Sequence, residues 1–146
     1  MLKVFLDANV FFAGFSSVEG ASALVLKLAV REKWLVCASR LVLREAERNL
    51  RLKSKPVCLK AFRRYLQKTK VHLCPTPPEK QQALFQELIH PKDLPVLSAA
   101  VILKTDYLLT LDRRHFFSAA LHAKVKSPKI MLPGDFIRQV YLKGRY

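Results

Sequence analysis

The chain has 146 residues, 51% of them hydrophobic, and 26 Lys and Arg against 11 Asp and Glu give it a formal charge of +15. That is the size of one ordinary domain with apolar residues enough for a core, and the composition shows no bias toward disorder. Three cysteines, Cys37, Cys58 and Cys74, show no CxxC or metal-ligand spacing, and an odd number closes no disulfide framework, so reduced thiols and a cytoplasmic location are expected.

Asp7 and Asn9 interrupt the N-terminal apolar stretch that could act as a secretory core of about 7–15 residues. The longest apolar run, LPVLSAAVIL, falls short of the ~18 residues a bilayer requires, so no membrane span is expected. The charge excess bears on partners, not on fold. Nucleic acid is the first candidate, ahead of an acidic membrane surface or an acidic protein. Between Arg40 and Lys70 stand eleven cations, among them Arg44, Arg48 and Arg51, against Glu45 and Glu47 alone. This segment is a candidate phosphate-contacting surface, or simply a solvated helical face.

In chain order, KVFLD at 3–7 reads as a strand buried on both faces, because its apolar run is continuous. Leu24, Val25, Leu28 and Ala29 recur at helical spacing within 20–32. WLVCAS at 34–39 is a second strand, with Ser39 placed to cap a helix of about 40–50. Pro56 opens the next helix, KVHLC at 70–74 is a third strand, and PTPP at 75–78 breaks it. A helix is expected over 79–90 and another from Pro95 to about Lys104. DYLLTLD at 106–112 makes a fourth strand, KIML at 129–132 a weak fifth, and PGDFIRQVYLK a closing helix. Strands alternating with helices specify an α/β domain over residues 1–146, with a mainly parallel sheet of four to five strands.

In such a sheet, ligands bind beyond the carboxyl ends of the strands. Asp7 and Asp112 leave the first and fourth strands at that edge, and Asp93 precedes a helix that feeds the fourth strand and so begins there too. Glu45 and Glu47, in the helix after the second strand, flank an apolar stripe of Val42, Leu43, Ala46 and Leu50 on opposite sides, and helical phase does not choose between them. Asp106 lies six residues before Asp112, roughly 20 Å away along an extended strand, and belongs to the opposite edge. Converging carboxylates repel unless a cation joins them, and an all-oxygen set suits Mg²⁺ or Mn²⁺. A single Asp after a strand is ordinarily a cap or turn former. Three at one edge in a chain of 11 acids shift the balance to a metal site.

With these acids in place, the chain resembles the PIN domain family of metal-dependent ribonucleases, which includes the VapC-type toxins of toxin–antitoxin pairs. The likeness lies in FLDANVFFAGF, ASRLVLREAERNL, KDLPVLSAAVILKTDYLLTLDRRHF and KIMLPGDFI, in that order. It implies a flavodoxin-like three-layer sandwich, a homodimer, and metal-dependent cleavage of RNA. Position by position, it implies that Asp7, Glu45, Asp93 and Asp112 are the catalytic and metal-binding acids, with Mg²⁺ or Mn²⁺ as cofactor. It also implies supporting roles for Asn9 and Thr110, and an antitoxin as protein partner. Lys92 beside Asp93 is an unusual neighbour that could contact phosphate, as could Arg113 and Arg114.

His115, in DRRHF, is expected to pack its ring at a helix start, and His72 and His90 to be structural. Phe11, Phe12 and Phe15 are expected to pack on a neighbouring helix or a dimer partner. A phosphoacceptor receiver domain requires paired acids after the first strand and a haloacid-dehalogenase-like phosphatase requires DxD. The DAN of residues 7–9 supplies neither. The remaining rival is a catalytically silent PIN-like module that binds RNA or protein through its basic surface.

Overall fold

The structure is a computed structural model, and it describes residues 1–144. Five strands form one all-parallel sheet: β1 (Lys3–Leu6), β2 (Leu35–Ser39), β3 (His72–Cys74), β4 (Tyr107–Leu109) and β5 (Lys129–Met131), in the order β3-β2-β1-β4-β5. Val4 is in register with Val36 of β2 and with Tyr107 of β4. Val4, Phe5 and Leu6 are fully buried although successive side chains point to opposite faces, so both faces of the sheet centre are covered. The chain runs outward one way through β2 and β3 and the other way through β4 and β5. The reversal falls between β1 and β4, the place where open α/β sheets form their crevice.

Among the described residues, seven α-helices lie between the strands, α1 (Ala8–Ser16), α2 (Ala21–Arg31), α3 (Arg40–Lys53), α4 (Pro56–Thr69), α5 (Glu79–Ala83), α6 (Leu94–Ile102) and α7 (Ala119–Lys124), and an eighth, α8 (Pro133–Phe136), follows β5. The expected α/β class is the observed one, but several boundaries move. Helix α1 was not anticipated from the sequence. From Asn9 to Phe15 none of its residues is exposed, so it has no polar face to give a helical period. Asp7 is consequently not the last residue of a strand but the N-cap of α1, its carboxylate accepting from the Ala8 N–H. Helix α7 was also unanticipated. The helix expected over 79–90 ends at Ala83 and gives way to turns. Strand β4 ends at Leu109, which puts Asp112 in the turn beyond it. The closing helix starts as α8 and widens into a π-helical turn, Ile137–Tyr141.

Helices α1 and α4 meet through aromatic rings. Phe62 of α4 lies edge-on to Phe11 (5.8 Å) and Phe15 (5.6 Å), and Phe15 also meets Tyr65 (5.3 Å). Gly14 permits the close approach of α2, since a Cβ there would run into Leu26 Cδ1 and press on the Ser22 carbonyl at 3.2 Å. These contacts fix α1, and with it the direction in which Asp7 leaves the sheet. Among the described residues no single helix is long and apolar enough to cross a membrane.

Candidate metal centre

Four carboxylates from four separate segments, Asp7, Glu45, Asp93 and Asp112, line one cavity of about 190 Å³. It opens at the carboxyl edge, where β1 and β4 lie side by side. Asn9, Asn49, Lys92, His115, Phe12 and Val96 also contribute to its walls.

Asp7 is held most firmly. It is 7% exposed; Oδ1 accepts from the Ala8 N–H at 2.7 Å, and Oδ2 accepts from the Thr110 hydroxyl at 2.8 Å and from Asn9 Nδ2 at 3.4 Å. Burial pushes its carboxyl up to about 6, helped by the charges of Glu45 and Asp93 and opposed by the hydrogen bonds from Thr110 and Ala8. Asn9 Oδ1 accepts from the Leu111 N–H at 3.0 Å, and Thr110 Oγ1 accepts from the Asp112 N–H at 3.1 Å. These two side chains therefore tie the exit of β1 to the exit of β4.

Asp112 divides its oxygens. Oδ1 accepts from the Arg114 and His115 N–H groups at 3.1 and 3.0 Å, which shapes the turn, and Oδ2 faces His115 Nδ1 at 3.0 Å. Asp93 ends a 3₁₀ turn, Pro91–Asp93, and occupies the N-cap position of α6 without making a capping hydrogen bond. Its Oδ2 is sealed from solvent and receives no directed hydrogen bond, although His115 Nδ1 approaches to 2.8 Å. Burial raises the Asp93 pKa; His115 pulls it down and Asp112 pushes it up.

The choice between the two glutamates is made by tertiary contacts. Glu47 turns to α4 and pairs with Arg63 Nε at 2.9 Å, whereas Glu45 lines the cavity. Asn49, one turn beyond Glu45 on the same face, joins it; the i, i+4 spacing was the available signal and went unused. His115 was expected to be a structural ring at a helix start. Instead it sits in the turn after β4, with Nδ1 between two carboxylates and its ring stacked on His90 at 4.9 Å. Arg44, Arg48 and Lys53 line a second hollow that shares Glu45, Asn49 and Lys92 with the first, so a basic groove runs along α3 into the acidic cavity. Arg51, Arg113 and Arg114 are exposed and line neither hollow.

A larger hollow of about 710 Å³ lies at the opposite edge, but its acids are already engaged. Asp106 Oδ2 accepts from the Lys3 N–H at 2.8 Å, and Glu32 pairs with Arg31. The acids at the carboxyl edge differ in that four of them line one cavity together. An Asp93 oxygen buried without a well-directed hydrogen bond, an Asp7 pKa raised by burial and, to a smaller degree, by the neighbouring acids, and a donor set of four carboxylates fit a divalent cation.

Fold and site together define a parallel α/β domain with an acidic crevice at the switch point of its sheet. The chain belongs to the PIN domain family, whose profile matches residues 3–114. Comparison with curated proteins yields no sequence match. Among solved structures, the chain is similar in fold to the crystal structure of VapBC2 from Rickettsia felis bound to a DNA fragment from its promoter. The TM-score is 0.62 at 12% identity, covering 90% of this chain and 98% of that one.

Proposed function

We propose that this protein is a metal-dependent endoribonuclease that hydrolyses RNA phosphodiester bonds. The observation that carries the reading is the convergence of four carboxylates on one cavity in a chain of formal charge +15. A strongly basic protein has no electrostatic reason to gather acids at one point of its surface unless a cation is to be held there.

In this reading Asp7, Asp93, Asp112 and Glu45 hold Mg²⁺ or Mn²⁺. When bound, the ion supplies Lewis acidity and lowers the pKa of an attached water. Asn9 and Thr110 fix the Asp7 carboxylate through their hydrogen bonds. Arg44, Arg48 and Lys92 bind backbone phosphates along the groove and set the strand across the cavity, a contribution that weakens steeply with salt and carries no sequence readout. Arg51, Arg113 and Arg114 add to the surrounding positive field. The likeness in fold to VapBC2 supports a further assignment: the chain is the toxin of a type II pair, a homodimer that takes an antitoxin protein as its partner.

The test is incubation of the purified protein with labelled single-stranded RNA in Mn²⁺ or Mg²⁺, then with chelator, beside Asp7→Asn. Cleavage that needs the metal and vanishes in the variant supports the nuclease. RNA bound equally by both proteins and left intact across several substrates would make the chain a silent RNA-binding module instead.

A further inference from the structure

We infer that His115 is a direct ligand of the metal, which makes the centre a mixed nitrogen and oxygen site that favours Mn²⁺ over Mg²⁺. The inference rests on the reading of the cavity as a metal centre and adds to it a residue outside the four acids.

Three ligand atoms, one each from Asp93, Asp112 and His115, lie within 4.8 Å of one another. His115 Nδ1 is 2.8 Å from Asp93 Oδ2 and 3.0 Å from Asp112 Oδ2. One ring N–H points along a single line and is poorly aligned when shared between two carboxylates, and Asp93 Oδ2 is left buried without a well-directed hydrogen bond. Ligands at right angles on metal bonds of about 2.1 Å sit roughly 3.0 Å apart, the edge of an octahedron. The ring nitrogen already keeps that spacing from both oxygens.

The ring is also held in place before any ion arrives. The His115 backbone N–H donates to Asp112 Oδ1 at 3.0 Å, and the imidazole stacks on His90 with 20° between the planes. A preset imidazole beside two carboxylates changes the preference of the site. Affinity for an N/O donor set rises along the first-row divalent ions, whereas Mg²⁺ takes oxygen ligands and gains little from imidazole.

The decisive measurement is pulsed EPR on Mn²⁺ bound to the purified full chain, with Mn²⁺ and Mg²⁺ affinities taken by competition. Wild type should show ¹⁴N modulation that changes to ¹⁵N when the histidines are labelled. His115→Gln should still bind Mn²⁺ but without this modulation. Its Mn²⁺ affinity should fall at least about tenfold, since even the outer partners of ligands are worth 10–100-fold, and its Mg²⁺ affinity should fall less. His90→Gln should keep the modulation.

Bound Mn²⁺ without nitrogen modulation in wild type would overturn the inference and leave the four-acid centre standing, with His115 as an ion-pair partner. Modulation that persists in His115→Gln would overturn it equally. If no Mn²⁺ binds at millimolar concentration to protein with a native circular dichroism spectrum, the metal-centre reading itself fails.

Discussion

Thr110 donates its hydroxyl to Asp7 Oδ2 at 2.8 Å while accepting the Asp112 N–H at 3.1 Å, so one buried oxygen positions two of the four acids. Thr110→Val keeps the shape and removes both bonds. It should destabilise the fold by about 1–3 kcal/mol, as expected when buried partners are left unsatisfied. Losing the Thr110 bond should also raise the Asp7 pKa further and cut cleavage at neutral pH. Urea denaturation and a pH–rate profile shifted to higher pH on its acid limb check both effects.

Asp7 makes the protein less stable than it could be without metal. Its pKa is about 6 when folded against an ordinary 3.8, so between these pH values the unfolded chain binds fewer protons and stability falls as pH rises. Above pH 6 the full penalty is present, on the order of 3 kcal/mol for a shift of about two units. Asp7→Asn, which can still cap α1, should therefore be more stable than wild type at pH 7 in chelator, with the gap closing below pH 4. Mn²⁺ should reverse the order by stabilising only the wild type. Unfolding curves at three pH values, with and without the ion, measure this directly.

Three lysines, Lys33, Lys70 and Lys104, take left-handed backbone angles with φ of 57°, 50° and 53°. Lys70 is the C-cap of α4, a position that favours glycine because a Cβ crowds the following carbonyl there. Lys70→Gly should raise stability by about 0.5–1 kcal/mol, seen as a higher Tm, and leave cleavage unchanged. A lowered Tm would mean that Lys70 makes a contact outweighing its strain.

What the sequence made legible follows from which forces are local. The run Val4–Leu6, apolar without alternation, announced a strand covered on both faces, and the acids after β1 and before α6 follow from parallel topology. Helix α1 escaped because a helix shielded on all sides loses the period that reveals an amphipathic one. Glu45 could not be told from Glu47 because the deciding contact, Glu47 with Arg63, joins two helices that local periodicity treats separately. His115 was misplaced for a similar reason. Nothing within DRRHF shows that Asp93, 22 positions earlier, comes within 2.8 Å of its ring.

That glutamate pair supplies a matched comparison. Glu45→Gln removes a carboxylate from the cavity and should lower metal-dependent kcat/KM by at least about tenfold, the usual scale for weakening a ligand set. Glu47→Gln breaks only a partly exposed ion pair worth 0–1 kcal/mol and should leave kcat/KM unchanged. Equal losses in the two variants would show that α3 moves as a unit and that the cavity assignment of Glu45 is wrong.

The basic groove predicts a measurable salt slope. For a single strand, log affinity falls with log salt at about −0.7 per phosphate neutralised. Arg44 and Arg48 line the hollow that leads to the acids, so Arg44→Ala with Arg48→Ala should make the slope shallower by roughly 1.4, about 0.7 for each phosphate contact removed, with unrelated RNAs weakened alike. Single-turnover cleavage at saturating RNA should stay near wild type, because neither arginine lines the acidic cavity. Filter binding on a metal-free sample between 50 and 300 mM salt, paired with that single-turnover rate, separates a loss of docking from a loss of chemistry. A fall in rate with an unchanged salt slope would mean that α3 serves the acids alone and that the RNA backbone runs across a different face.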